Sequence, residues 1–176
     1  MVVGPSCAGK STLGAELARR LNVPFIELDA LFWRPGWQRP PDDEFCRLLV
    51  GAHSGEAWVS AGNYLRQARQ VTWPAADTLV WLDVPLPVTT WRVLRRSWRR
   101  WRSRELLWGT CRESFWRQLC LWSQHRSLIT YNMVRHRANR RVFERAFDEW
   151  QSAGRRCLRL RSSRDIARLL AAISAP

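Results

Sequence analysis

Lysine is nearly absent from this chain of 176 residues: among 29 basic side chains, only Lys10 is a lysine. Every other positive charge is an arginine, a planar fork rather than a compact ammonium on a flexible stem. Long apolar runs are missing too. No stretch reaches the roughly 18 residues that a membrane-spanning helix needs, so no spanning helix is expected. The first residues lead almost at once into a Gly-containing loop, which leaves no room for a secretory leader and makes the cytoplasm the expected compartment. The 5 cysteines (Cys7, Cys46, Cys111, Cys120, Cys157) include no C-x-x-C pair. That spacing indicates neither a zinc site nor a disulfide framework. Internal repeats and low-complexity linkers are absent, and 46% of residues are hydrophobic. Disorder is thereby excluded, and one domain over residues 1–176 is expected.

Acid is scarce in one half only. Residues 1–90 hold 8 basic and 9 acidic side chains (8 − 9 = −1), whereas residues 91–176 hold 21 and 6 (21 − 6 = +15). The second half suits a polyphosphate, a nucleic acid or an acidic membrane surface, and composition alone does not choose among them.

The single lysine marks the strongest motif. Gly4-Pro5-Ser6-Cys7-Ala8-Gly9-Lys10-Ser11-Thr12 fits G-x-x-x-x-G-K-[ST] at every fixed position. A triphosphate tail needs donors packed more closely than side chains allow. Backbone N–H groups of such a loop supply them, and the following helix adds its positive end. Residues Gly4, Ser6, Cys7, Ala8, Gly9, Lys10, Ser11 and Thr12 are therefore expected to bind ATP. Lys10 would reach the β- and γ-phosphates, the Ser11 hydroxyl would ligate Mg²⁺, and Thr12 would donate near the α-phosphate. Leu13, Leu17 and Leu21 share one face of the predicted helix after the loop, which Pro24 bars from continuing.

Strands and helices then alternate. Strands are predicted at 25–28, 57–61, 78–82 and 157–160. Helices are predicted from about Pro40 to Ala52, Tyr64 to Val71 (stopped before Pro74), Leu86 to Arg104, Arg112 to Arg137, Ala138 to Gln151, and Ser162 to Ile173. Ser162 with Asp165 reads as a capping box for the last. Alternation implies a mostly parallel sheet covered on both faces, with ligands at the carboxyl ends of its strands. Asp29, Ala61 and Asp83 fall there. Trp91, Leu94, Trp98 and Trp101 recur at three- and four-residue steps, a stripe expected to pack as core beneath a helical cover rather than to stack on bases.

The phosphate loop, Leu28-Asp29-Ala30-Leu31-Phe32-Trp33-Arg34-Pro35-Gly36-Trp37, Gly62-Asn63-Tyr64, Ala76-Asp77-Thr78-Leu79-Val80-Trp81-Leu82-Asp83-Val84-Pro85 and Arg112-Glu113-Ser114 occur in that order. In this the chain resembles the adenylate-kinase-related P-loop proteins called DNA topology modulation proteins, over residues 2 to about 170. The resemblance implies an α/β P-loop NTPase fold with a five-stranded parallel sheet in the order 2-3-1-4-5, helices on both faces, and an Arg-rich helical lid at about 91–137. It also implies ATP binding and phosphoryl transfer to a small acceptor. In one place the chain departs from the group: the acid that usually precedes Gly-Asn-Tyr, where adenylate kinases hold a magnesium water, is Ala61.

The expected catalytic residues are Lys10, Asp29, Arg92 and Arg96. Asp29 would orient the acceptor hydroxyl or take its proton. Arg92 and Arg96 would clamp phosphates from the root of the lid, with Arg112 a weaker third. Asp83 joins Ser11 as a metal candidate, because an acid closing an apolar strand reads as a Walker B residue. Trp33 and Trp37 either wall the acceptor pocket or simply pack, and Ser162 to Arg164 would lie near the base. The alternative is an ATP-binding nucleic-acid-associated or regulatory protein with little turnover, favoured by Ala61 and the basic half.

Overall fold

The structure, a computed structural model, describes residues 1–104, 106–109, 111–112, 114–118 and 127–173, with backbone alone for 112, 117 and 118. Its strands are β1 (Val2–Val3), β2 (Phe25–Glu27), β3 (Val59–Ala61), β4 (Thr78–Leu82), a hairpin of β5 (Leu106–Leu107) and β6 (Cys111–Arg112), and β7 (Arg156–Leu160). Five of these form a parallel sheet in the order β2-β3-β1-β4-β7. This is the expected 2-3-1-4-5 order, the hairpin having advanced the number of the last strand.

Parallel strands buried on both faces need apolar residues at successive positions. β1 shows this at its shortest. Val2 and Val3 point to opposite faces and belong to two separate cores. One core gathers Val3, Ile26, Leu79 and Trp81 from the sheet with Leu28 just after β2, Phe45 and Leu49 of α3 (Asp42–Ala52) and Phe143, Ala146 and Trp150 from the longest of the described helices. The other gathers Val2, Val59, Ala61, Val80 and Leu82 with Leu13, Leu17 and Ala18 of α1 (Lys10–Leu21). Helices therefore cover both faces, as an α/β sheet of this kind requires.

The remaining helices are α2 (Leu28–Phe32), α4 (Leu65–Gln70), α5 (Thr72–Ala75), α6 (Leu86–Ser103), α7 (Phe115–Gln118), α8 (Leu128–Ser152) and α9 (Ser163–Ala172). The capping box of α9 is present. Ser162 Oγ accepts from the Asp165 N–H at 3.2 Å, and Asp165 Oδ2 accepts from the Ser162 N–H at 2.9 Å.

Several expectations fail for identifiable reasons. The strand predicted to 28 stops at Glu27, and Asp29 lies in the first turn of α2. The helix predicted over 64–71 is present as α4 and ends before Pro74, which then occupies the first turn of the separate α5, where a missing N–H costs nothing. Among the described residues, the two helices predicted over 112–137 and 138–151 are replaced by a hairpin strand, a single turn and one continuous α8, residues 113 and 119–126 lying outside them. The inward face of α8 carries Asn132, His136 and Asn139 where it passes beyond the apolar sheet, which breaks the apolar period without breaking the helix. Leu21 ends α1 exposed. The tryptophan stripe is also reversed: α6 buries Thr89, Val93 and Ser97, while Trp91, Trp98 and Trp101 are exposed.

Candidate active site

The phosphate loop is held from three sides. Gly4 has φ +147°, and a Cβ there would stand 2.6 Å from the Leu82 carbonyl, so only glycine lets the loop leave β1 against β4. Asn63, following β3, accepts the Gly4 N–H at 3.3 Å. Arg92 of α6 donates from Nη1 to the Ala8 carbonyl at 3.0 Å. Cys7 (φ 60°) and Gly9 (φ +104°) adopt the left-handed turns that carry the loop into α1.

The Lys10 ammonium folds back over the loop and donates to the Gly4 and Pro5 carbonyls, each at 3.0 Å. Burial lowers its pKa below the ordinary 10.5, with the Arg96 guanidinium pushing the same way and the charges of Asp29, Cys7 and Glu27 opposing. Arg96 and Asp29 thus both sit within electrostatic reach of Lys10. The structure brings together four residues chosen from sequence: Lys10, Asp29, Arg92 and Arg96. Ser6 is half-buried in the loop, and Ser11 and Thr12 stand exposed at the start of α1.

The fifth participant was not foreseen. Glu27, the last residue of β2, accepts the Ser11 hydroxyl on Oε1 at 2.5 Å and the Trp108 indole N–H on Oε2 at 3.0 Å. Glu27 pairs in register with Ala61 across β2 and β3. A carboxylate therefore stands at the height of the missing acid, one strand over. The signal in sequence is an acid two residues before Asp29, but its meaning depends on strand register, which no local pattern reveals.

Asp29 accepts the Tyr64 hydroxyl at 2.6 Å. Burial first, and then the Asp29 carboxylate, raise the Tyr64 phenol pKa, so this phenol stays protonated and donates. Around them stand aromatic rings. Phe32 meets Trp33, Phe45 and Tyr64 at 4.4–5.0 Å, Trp33 meets Trp37 at 5.3 Å, and Trp37 meets Trp108 of the hairpin turn at 6.3 Å. Arg39 lies over the Trp33 ring at 5.5 Å.

Asp83 does not meet Ser11. Its Oδ2 accepts from Arg159 at 2.7 and 3.0 Å and from Arg140 at 3.3 Å, with Arg161 at 3.6 Å. Arg159 also stacks on Trp81, 4.1 Å from the ring centre. These contacts make Asp83 a clamp between β4, β7 and α8. Among the described residues no cluster of three or more His, Cys, Asp or Glu could hold a metal alone. Mg²⁺ does not require one, since it is commonly bound through one or two protein oxygens together with substrate phosphates. A hydroxyl and a carboxylate oxygen 2.5 Å apart beside the phosphate loop fit such a centre. The Arg112 side chain and Glu113 lie outside the described residues.

A family model described as shikimate kinase matches residues 6–36. The matched segment runs from the phosphate loop through Glu27 and Asp29 to Gly36. Neither curated proteins nor solved structures gave a match. No helix among the described residues is long and apolar enough to cross a membrane. The match and the parallel five-stranded sheet relate the chain to P-loop kinases and support a nucleotide-binding, kinase-like protein.

Proposed function

We propose that this chain is a phosphotransferase that binds ATP with Mg²⁺ at the 4–12 loop and passes the γ-phosphoryl group to a small hydroxyl acceptor. The observation that carries the reading is the convergence of Lys10, Arg92, Arg96, Asp29 and the Ser11–Glu27 pair on one loop. Loop amides and the α1 N-terminus hold the phosphates. Lys10 exchanges its two carbonyl partners for phosphate oxygens, and Arg92 and Arg96 spread over the charge that develops during transfer. Ser11 and Glu27 would hold Mg²⁺, and the ion would supply positive charge to offset that of the phosphates. Asp29, kept in place by Tyr64, accepts the acceptor's hydroxyl proton. Trp33, Trp37 and Trp108 exclude water around it, and the lid acts through the α6 side chains that face the loop, Arg92 and Arg96. Such a site works by positioning and charge neutralisation.

Calorimetry with ATP tests the first half, with Lys10→Ala as the control. An acceptor screen with shikimate, nucleoside monophosphates and small alcohols tests the second, read as acceptor-dependent ADP release. Asp29→Asn is expected to abolish transfer and spare ATP affinity. Unchanged turnover in that variant removes Asp29 from the chemistry.

A further inference from the structure

The outer face of α6 has no role in that chemistry, and its construction is unusual. An amphipathic helix on a globular protein normally turns its bulky apolar residues inward. In α6 the inward residues are Thr89, Val93 and Ser97, and the tryptophans point out: Trp91 is 65% exposed, Trp98 47% and Trp101 39%. At 3.6 residues per turn these three indoles occupy a sector about 80° wide. Arg95, Arg99 and Arg102 occupy the adjacent sector, about 60° wide, and all three are exposed. No carboxylate pairs with these three arginines among the described residues. The helix holds 6 arginines and no acid. Beyond it the indole stripe continues through ring contacts of Trp98 and Trp101 with Phe115, and of Trp101 with exposed Trp116, at 5.2–6.3 Å.

A row of flat rings beside a parallel row of unpaired guanidiniums matches one kind of polyanion: one that alternates rings and phosphates along a line. We propose that the outer face of α6 is a track for single-stranded nucleic acid, with Trp91 and Trp98 as stacking platforms and Arg95, Arg99 and Arg102 on the phosphates. Stacking tolerates any base, so the track is sequence-indifferent and salt-sensitive. An anionic membrane is the competing partner. It asks for a broad apolar face lying in a plane, whereas this stripe is narrow and bounded on one side by the buried face of the helix.

The experiment uses the full chain, fluorescein-labelled oligo(dT) and oligo(rU) of about 20 nucleotides, and vesicles of phosphatidylcholine with or without phosphatidylglycerol. The wild type is expected to bind both oligonucleotides at low salt. Trp91→Ala/Trp98→Ala should weaken this at least about tenfold, and Trp91→Phe/Trp98→Phe should largely restore it. Arg95→Gln/Arg99→Gln/Arg102→Gln should reduce the slope of log affinity against log salt by about 2, roughly 0.7 for each lost phosphate contact. All variants should keep wild-type ATP calorimetry, which shows that they fold and separates failure here from failure of the kinase reading. The proposal is overturned if neither oligonucleotide binds, if alanine at both tryptophans leaves binding unchanged, or if phosphatidylglycerol vesicles bind more tightly than the oligonucleotides.

Discussion

At the scale of single residues, the site divides into what a linear pattern can carry and what it cannot. Lys10 and Ser11 are fixed by the motif spacing, and Arg92 and Arg96 follow from the resemblance, which implies arginines at the root of a lid. All four reach the phosphate loop or its flank. No linear pattern carries the setting of Glu27, because its partners, Ser11 and Trp108, come from distant segments. Replacing Glu27 with Gln keeps the shape and removes the charge. The expected outcome is a rise of about tenfold in the Mg²⁺ needed for half-maximal turnover, the usual effect of losing an outer-shell group, with metal-free ATP affinity little changed; magnesium titration of ADP release reads it. Lys10 gives a second prediction. Its pKa is lowered in the free loop, and a triphosphate raises it again. Between those two values ATP binding must take up a proton, and affinity must fall as pH rises. Calorimetry at alkaline pH in buffers of differing ionisation enthalpy should show this uptake, and Lys10→Met should abolish it.

At the scale of elements, strands were legible and the insertion was not. β4 announces itself by a continuous apolar run between turn residues, and α9 by its cap. The β5–β6 hairpin consists of two-residue strands, too short for any period to show. In α6 the period is real but its direction is inverted, because the residues it buries, Thr89, Val93 and Ser97, are smaller than the tryptophans it exposes. Asp83, expected as a metal acid, meets arginines instead for a similar reason. Its position at the end of β4 was right, but its partners come from α8 and the end of β7. Asp83→Asn removes the carboxylate shared by Arg140, Arg159 and Arg161 and leaves Glu144 as the remaining partner of the first two. A fully buried pair broken this way costs about 3–5 kcal/mol. These arginines keep partial contact with solvent, so about 2 kcal/mol is expected, measured as a lowered urea midpoint at unchanged slope. Magnesium dependence should stay as in the wild type.

At the scale of the whole molecule, the phosphate loop lies between the sheet and α6, with Lys10, Arg92 and Asn63 drawing on its carbonyl and amide groups. A ligand that occupies it stabilises everything it touches by mass action. At a hundredfold excess over the dissociation constant this amounts to about 2.7 kcal/mol. For a chain of this size each kcal/mol moves the melting temperature by roughly 2–4 °C. ATP with magnesium should therefore raise the melting temperature by about 5–10 °C in a thermal scan, and the Lys10→Ala variant should show no rise. The position of Glu27 bears on how chains of this kind are sorted. On the proposed function, the charge that a metal water needs is offered by Glu27, in register with Ala61 on the neighbouring strand. A column-by-column inventory that scores only residue 61 would overlook a carboxylate standing one strand to the side.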